Sequence, residues 1–338
     1  MANKITFLGT GGDSFVVGKN MRSNGGIIFQ IDESQFHIDP GIGAVVRAAE
    51  NRINLRGNTA VLLSSSNILN SNDVNAVIDA MTYGGFDKSG ILVANSTIVN
   101  GNESTNPILS NYHKRCLEKI VILNPGQKLG IEDTEINAVP VENEDEKGIG
   151  FKIYAPDFTA GYVPDTKYNK DLYKHFQGCD MLIVNVNSPH GEKEKNKLNS
   201  DEAAKLIEKS QPKLAVITGF GIKMIRADPL YEGREIQKKT GIQVLVAKDG
   251  MSLAPSSYSA KSDQKRLSTF SREERAKQQE EAKELEKELE KEPEKEPEKE
   301  SEKENIIQRT GKEQKDNEKI ISEEKQEYKQ EELNFFDF

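Results

Sequence analysis

Tryptophan is absent from the 338 residues, and histidine occurs only four times, at His37, His113, His175 and His190. No two of these stand at the spacing of paired metal ligands, so they form no imidazole cluster of the kind that gathers zinc. Cysteine is scarcer still. Cys116 and Cys179 belong to no CxxC pair, which excludes a zinc knuckle or a disulfide framework, and neither has an identifiable histidine partner for thiol catalysis. That usage points to a reduced, cytoplasmic setting. No stretch approaches the ~18 apolar residues of a membrane span. The segment Met1–Phe7 lacks the apolar core of a signal peptide. An excess of basic residues is missing too. The formal net charge is -9, which would repel phosphate backbones and argues against direct nucleic-acid binding through a basic face.

What is present divides sharply. Residues 261–338 carry 18 basic against 25 acidic side chains, whereas residues 1–260 carry 28 against 30. The first part is near neutral and can bury a large core. The second has too few apolar residues to offset its chain entropy by burial. Residues 272–292 are almost all Glu, Lys, Arg, Gln, Ala and Leu, so the spacing predicts a charged, solvated helix over 261–292. Pro293 and Pro297 stop it. Residues 293–328 read as a disordered Glu/Lys/Pro linker, and 329–338 as a separate aromatic peptide.

Within 1–260, strands are predicted at 4–8, 26–31, 35–38, 60–64, 91–94, 120–123, 135–140, 149–154, 160–163, 181–186, 214–218 and 242–247. Helices are predicted at 43–51, 73–82, 200–209 and 230–240, the third opened by the cap region Asn199-Ser200-Asp201. The strand 181–186 is apolar at every position but Asn185, the mark of a strand buried on both faces. The pattern is that of an α/β (α+β layered) protein, with two sheets between two helical layers. Gly9-Thr10-Gly11-Gly12 lacks the lysine of a GxxxxGK[ST] phosphate loop and reads as a tight strand–loop turn. His37 reads as structural, His113 as a surface residue at a helix start, and His175 and His190 as solvated.

Several markers carry a resemblance: Phe7-Leu8-Gly9-Thr10-Gly11-Gly12, Asn24-Gly25-Gly26, His37-Ile38-Asp39-Pro40-Gly41, Asn72-Asp73, Gly148-Ile149-Gly150-Phe151, Pro164-Asp165-Thr166, Phe220-Gly221-Ile222-Lys223-Met224 and Asp249-Gly250-Met251. In order and spacing, from about Ile5 to Leu253, the chain resembles an archaeal branch of the metallo-β-lactamase superfamily, related to phosphodiesterases and tRNA 3′-processing nucleases. The resemblance implies a four-layer αββα sandwich. It also implies a loop of the form His-x-His-x-Asp-His after the strand at 60–64, whose imidazoles and carboxylate hold zinc and make hydroxide available at neutral pH. Here that loop reads Ser65-Ser66-Asn67-Ile68-Leu69-Asn70. Ser65, Asn67 and Asn70 stand at histidine positions and Leu69 at the aspartate position. Asn143, Lys197 and Gly219 stand at three further histidine positions. Only the bridging aspartate persists, as Asp165. It is either a turn or capping residue, or the partner of Lys197, whose ammonium would replace the metal's charge.

These substitutions lead to the expectation of a non-catalytic member with no metal and no cofactor, acting as a binding or scaffold subunit. Its former site would be a polar pocket lined by Ser65, Asn67, Asn70, Asn143, Asp165, Lys197 and Gly219. By analogy with inactive relatives, it would pair with a second copy or with an active paralogue. The alternative is a metal-dependent hydrolase of phosphodiester or nucleic-acid substrates with an altered site. The last residues, Gln330 to Phe338, place Leu333, Phe335, Phe336 and Phe338 at the end of an acidic tail. Exposed side chains of that size seek a partner surface. Gln330, Leu333 and Phe336 have the spacing of the motif that docks proteins onto the replication sliding clamp, but Asp337 stands where that motif has its second aromatic residue.

Overall fold

The computed structural model describes residues 3–255 and Ser257. The fold is that of the first of its two units, Met1–Asp263. The solvated helix, the linker and the aromatic peptide expected beyond residue 260 lie outside the described residues.

Among the described residues fourteen strands form two seven-stranded sheets. The segment up to Ile122 supplies β1 (Lys4–Phe7), β2 (Ile27–Ile31), β3 (Ser34–Ile38), β4 (Ala60–Leu62), β5 (Ile91–Ala94) and β6 (Lys119–Ile122). The segment after it supplies β7 (Lys128–Ile131), β8 (Thr134–Pro140), β9 (Ile149–Tyr154), β10 (Thr159–Val163), β11 (Met181–Asn185), β12 (Leu214–Thr218), β13 (Gln243–Val246) and β14 (Ser252–Leu253). The sheet orders are β14-β1-β2-β3-β4-β5-β6 and β13-β12-β11-β10-β9-β8-β7. Each sheet is antiparallel through its hairpins and at β1–β2, and becomes parallel at the helix-bearing connections β3–β4 and β10–β11. That change follows from connection length. A hairpin returns the chain antiparallel, whereas the segment between β3 and β4 carries the helix Ala44–Glu50 and returns it parallel.

Alternation along the strands builds three apolar layers. Ile27, Phe29 and Ile31 of β2 meet Met181 and Ile183 of β11 in the core between the sheets. Ile28 points the other way, into the layer under the helices Ala44–Glu50 and Val74–Thr82. Leu182 and Val184 of β11 likewise face the helices Ser200–Ser210 and Pro229–Thr240. Met181–Val184 are all apolar because both faces of the strand are covered. The helix Ser200–Ser210 begins at Asn199 with a full capping box, in which the Asn199 side chain accepts from Glu202 N–H and the Glu202 side chain accepts from Asn199 N–H. These are the four layers that the sequence pattern implied. Among the described residues no helix is long and apolar enough to cross a membrane.

The short elements are the ones the periodicity missed. Helices Ser14–Gly18, Ile68–Ser71, Ser96–Asn100, Leu172–Phe176 and Ile222–Ala227 span at most two turns, too few for an apolar stripe to repeat. Strands β7 and β14 have four and two residues. His113 is a correction. It is largely buried, bonding the Ser110 hydroxyl through Nδ1 at 2.7 Å with Asp79 at 3.6 Å from Nε2. His190 is exposed as expected, but it is not simply solvated, because its Nδ1 lies 2.6 Å from the Asp201 carboxylate. His37 is fully buried, and its Nε2 donates to Gly25 O at 2.8 Å. Burial lowers its pKa to about 4, so it is a neutral core residue at physiological pH.

Candidate functional site

The loops that leave the carboxyl ends of β1, β3, β4, β10, β11 and β12 converge on one region between the two halves of the sandwich. Their close approach explains the glycines. A Cβ on Gly12 would lie 1.9 Å from Gly219 O, and one on Gly9 would lie 2.4 Å from the Asn24 backbone. The Gly9–Gly12 segment is therefore packed against other backbone, as expected of a turn rather than a phosphate cradle.

Asp39, just past β3, anchors the first cluster. Its carboxylate is buried and accepts from Ser64 N–H at 2.7 Å, Ser64 Oγ at 2.6 Å, Asn70 Nδ2 at 2.7 Å and Tyr162 Oη at 2.7 Å. Burial raises its pKa, and the Ser64, Tyr162 and Asn70 bonds pull the other way. Tyr162 is raised well above its ordinary range, first by burial and then by the Asp39 charge, so it remains a donor. Asn70, at a position where the resemblance expects a histidine, thus gives its amide to Asp39.

Asp165 anchors the second cluster. Its Oδ1 accepts from Asn185 Nδ2 at 3.3 Å, and its Oδ2 lies 3.6 Å from Lys197 Nζ. Lys197 Nζ also donates to Gly12 O at 2.7 Å, an oxygen shared with Asn187 Nδ2 at 2.9 Å. Burial raises the Asp165 pKa, while the Lys197 charge opposes the rise. Among the described residues the carboxylate bonds no backbone group; its partners are the lysine and an amide rather than a helix cap. A third cluster ties the 143–148 loop to the loop after β4. Asp145 accepts from Ser66 N–H at 2.9 Å, Asn95 Nδ2 at 3.0 Å and Lys147 N–H at 3.0 Å. Asn143 accepts from Asp145 N–H and donates to Asp165 O.

The region holds two cavities rather than the single pocket that the sequence suggested. An open cleft of about 460 Å³ is lined by Ser65, Asn67, Asn143, Asp165 and Lys197, among others. A smaller cavity of about 40 Å³ lies against Asn70, Gly219 and Asp165, together with Asp39, Tyr162 and Asn185. The physical reason is the two polar clusters. Asn70 is turned toward Asp39, away from the cleft, and Asn185 fills the room beside Gly219. A Cβ at position 219 would sit 2.8 Å from Asn185 Cγ, and Gly219 has a φ of 69°, a left-handed backbone that side chains disfavour. Leu69 is buried and lines both cavities.

The resemblance implies a zinc centre at this place, which requires three or more protein ligands from nitrogen, sulfur or carboxylate donors. The residues present do not fit it. Among the described residues no three His, Cys, Asp or Glu side chains group in a way that could hold a metal ion. Asn67 Oδ1 is spent on Leu69 N–H, Asn143 is spent at both ends of its amide, and Lys197 brings a positive charge beside Asp165. Thiol chemistry finds no support either. Cys116 and Cys179 are both buried, and burial pushes the Cys179 pKa up to about 12.

Tyr162, Asn185, Asp145, Asn95 and the role of Asp39 were not singled out from sequence. The pattern Asn143-x-Asp145 carried a local signal, since an Asn side chain accepting from the N–H two residues on is a common turn device. The cross-sheet bond of Tyr162 to Asp39 carried none.

Comparison with known proteins agrees with this architecture. A family model described as the beta-lactamase superfamily domain matches residues 34–220. An uncharacterized protein of Methanocaldococcus jannaschii is 31% identical over 253 residues, covering 74% of this chain and 94% of that protein. Among solved structures, the metallo-beta-lactamase fold protein YhfI from Bacillus subtilis aligns with a TM-score of 0.63 at 16% identity, over 75% of this chain and 99% of that one. The short form of human tRNase Z aligns with a TM-score of 0.54 at 12% identity, over 74% and 98%. The chain therefore belongs to the beta-lactamase superfamily and has the metallo-β-lactamase fold.

Proposed function

We propose that this member of a hydrolase superfamily is non-catalytic and serves as a binding or scaffold subunit. The observation that carries the reading is the placement of Lys197 Nζ, 2.7 Å from Gly12 O and 3.6 Å from Asp165. A fixed ammonium beside the one retained carboxylate supplies positive charge from the chain itself and disfavours a second cation there. An ammonium has no open coordination position and generates no hydroxide, so the chemistry of the zinc hydrolases is lost with the ligands.

In this reading the body presents surfaces to a second copy or to an active relative. The segment from Gln330 to Phe338 recruits a protein partner through Leu333, Phe335, Phe336 and Phe338, with the replication sliding clamp as the specific candidate. A short apolar peptide on a long tether suits recruitment, because the tether sets the effective concentration of whatever the body holds.

Two measurements test it. Purified full-length protein is expected to carry far less than one zinc per chain by elemental analysis and to leave bis(4-nitrophenyl) phosphate intact. Stoichiometric zinc, with hydrolysis abolished by Asp165→Ala, would replace this reading with that of a metal-dependent phosphodiester hydrolase. Separately, pull-downs with the full chain and with a chain ending at Tyr328 are expected to differ in captured clamp. Identical partners from both would reject the role of the tail.

A further inference from the structure

The open cleft beside Asp165 has a volume of about 460 Å³, within the range of roughly 300–1,000 Å³ usual for small-molecule sites. Its charges are nearly all committed internally. Asp13 accepts from Val16 N–H and Ile222 N–H, both at 2.7 Å. The Asp145 carboxylate holds three N–H groups, and Asp165 is held by Asn185 and Lys197. Lys197 is held in turn by Gly12 O. Only Glu144 and Lys195, both exposed, are left without a partner among the described residues. A polyanion would meet four carboxylates against two lysines in this lining, and a cation would find most carboxylate oxygens already taken.

What the cleft offers instead is uncommitted neutral hydrogen-bonding capacity. Ser65 is only 4% exposed, yet its hydroxyl only accepts, from Asn67 N–H at a long 3.4 Å. Its proton has no acceptor among the described residues. Asn67 spends Oδ1 on Leu69 N–H and leaves Nδ2 free. The side chains of Ser66, Thr105 and Asn196 also line the cleft and have no partner among the described residues. Hydroxyls both donate and accept, so the ligand that satisfies them carries groups that do the same. Ile68, 54% exposed on the same wall, adds an apolar ledge.

We infer that the cleft binds an uncharged, hydroxyl-rich ligand of the carbohydrate class, at one to two rings in size. A sugar ring matches both features, with hydroxyls around its edge for the serine and asparagine side chains and a C–H face for Ile68. Ser65 is the buried anchor and Asn67 Nδ2 the directional donor. The inference rests on the non-catalytic reading above, since a zinc-bound hydroxide in the same place would select a different ligand.

The test uses full-length protein, a panel of neutral mono- and disaccharides and inorganic phosphate, read by saturation-transfer NMR and calorimetry, with metal content measured on the same sample. At least one sugar is expected to bind. Asn67→Asp keeps the oxygen that caps the helix Ile68–Ser71 but removes the Nδ2 donor, and is expected to weaken that binding about tenfold, the worth of one directional hydrogen bond. Lys195→Met is expected to leave it unchanged. Binding of no sugar, equal binding by Asn67→Asp, or preference for phosphate that is lost in Lys195→Met would each overturn the inference. If the protein is metal-free and binds no sugar, only the ligand assignment fails. If it carries stoichiometric zinc, the non-catalytic reading fails as well.

Discussion

Asp39→Ala is expected to lower the unfolding free energy by about 4 kcal/mol. The carboxylate accepts four hydrogen bonds within a buried cluster, and its removal takes the acceptor from Ser64 N–H, Ser64 Oγ and Tyr162 Oη, while Asn70 Nδ2 keeps only its 3.2 Å bond to Ser64 Oγ. Each such loss costs about 1–3 kcal/mol. The sum is reduced because burial already disfavours the ionised Asp39, as its raised pKa shows. Asp39→Asn should cost less, since one oxygen still accepts. Tyr162→Phe should cost least, about 1 kcal/mol, because it removes a donor and leaves the carboxylate three others. Urea unfolding of the three variants checks the order. A cost below that of Tyr162→Phe for Asp39→Ala would show that this cluster does not hold the two sheets' loops together.

Lys197→Met is expected to destabilise the protein by about 3 kcal/mol at neutral pH, the cost of leaving a mostly buried carboxylate without its cation. The loss should shrink as the pH falls. The Asp165 pKa is raised in the folded protein by burial, with Lys197 opposing the rise. Removing the ammonium therefore moves the folded pKa higher still. As the pH drops through that value, the native state takes up a proton that the unfolded chain does not yet bind, and stability is recovered. Asp165→Asn in the same background should recover much of the loss at neutral pH. The Lys197→Met/Asp165→Asn double variant should then be more stable than Lys197→Met alone. Strictly additive costs in denaturant titrations would mean that the 3.6 Å approach carries no coupling.

The fold was readable in the sequence because its markers are set by local physics. Continuous apolar runs such as Met181–Val184 report burial on both faces, and the glycines at 9, 11 and 12 report backbone that must pass close to other backbone. The approach of Lys197 to Asp165 was anticipated through the resemblance, because both stand at positions that surround the metal in relatives. The split into two cavities was not. It depends on Tyr162 reaching Asp39 across 123 positions of sequence, and on Asn185 occupying space that no neighbouring residue announces. Contacts made between the sheets leave no periodicity along either strand. The Asp145 cluster was hidden for the same reason, since its partners Ser66 and Asn95 come from loops of the other sheet.

The crowding at Gly219 also makes two distant positions behave as one. The Gly219 backbone has a φ of 69°, and Asn185 stands where a Cβ would go. Any side chain introduced at 219 alone would meet both a disfavoured backbone and an occupied neighbour. Positions 185 and 219 can therefore change only together, so this corner of the cavity varies in pairs and not by single substitutions.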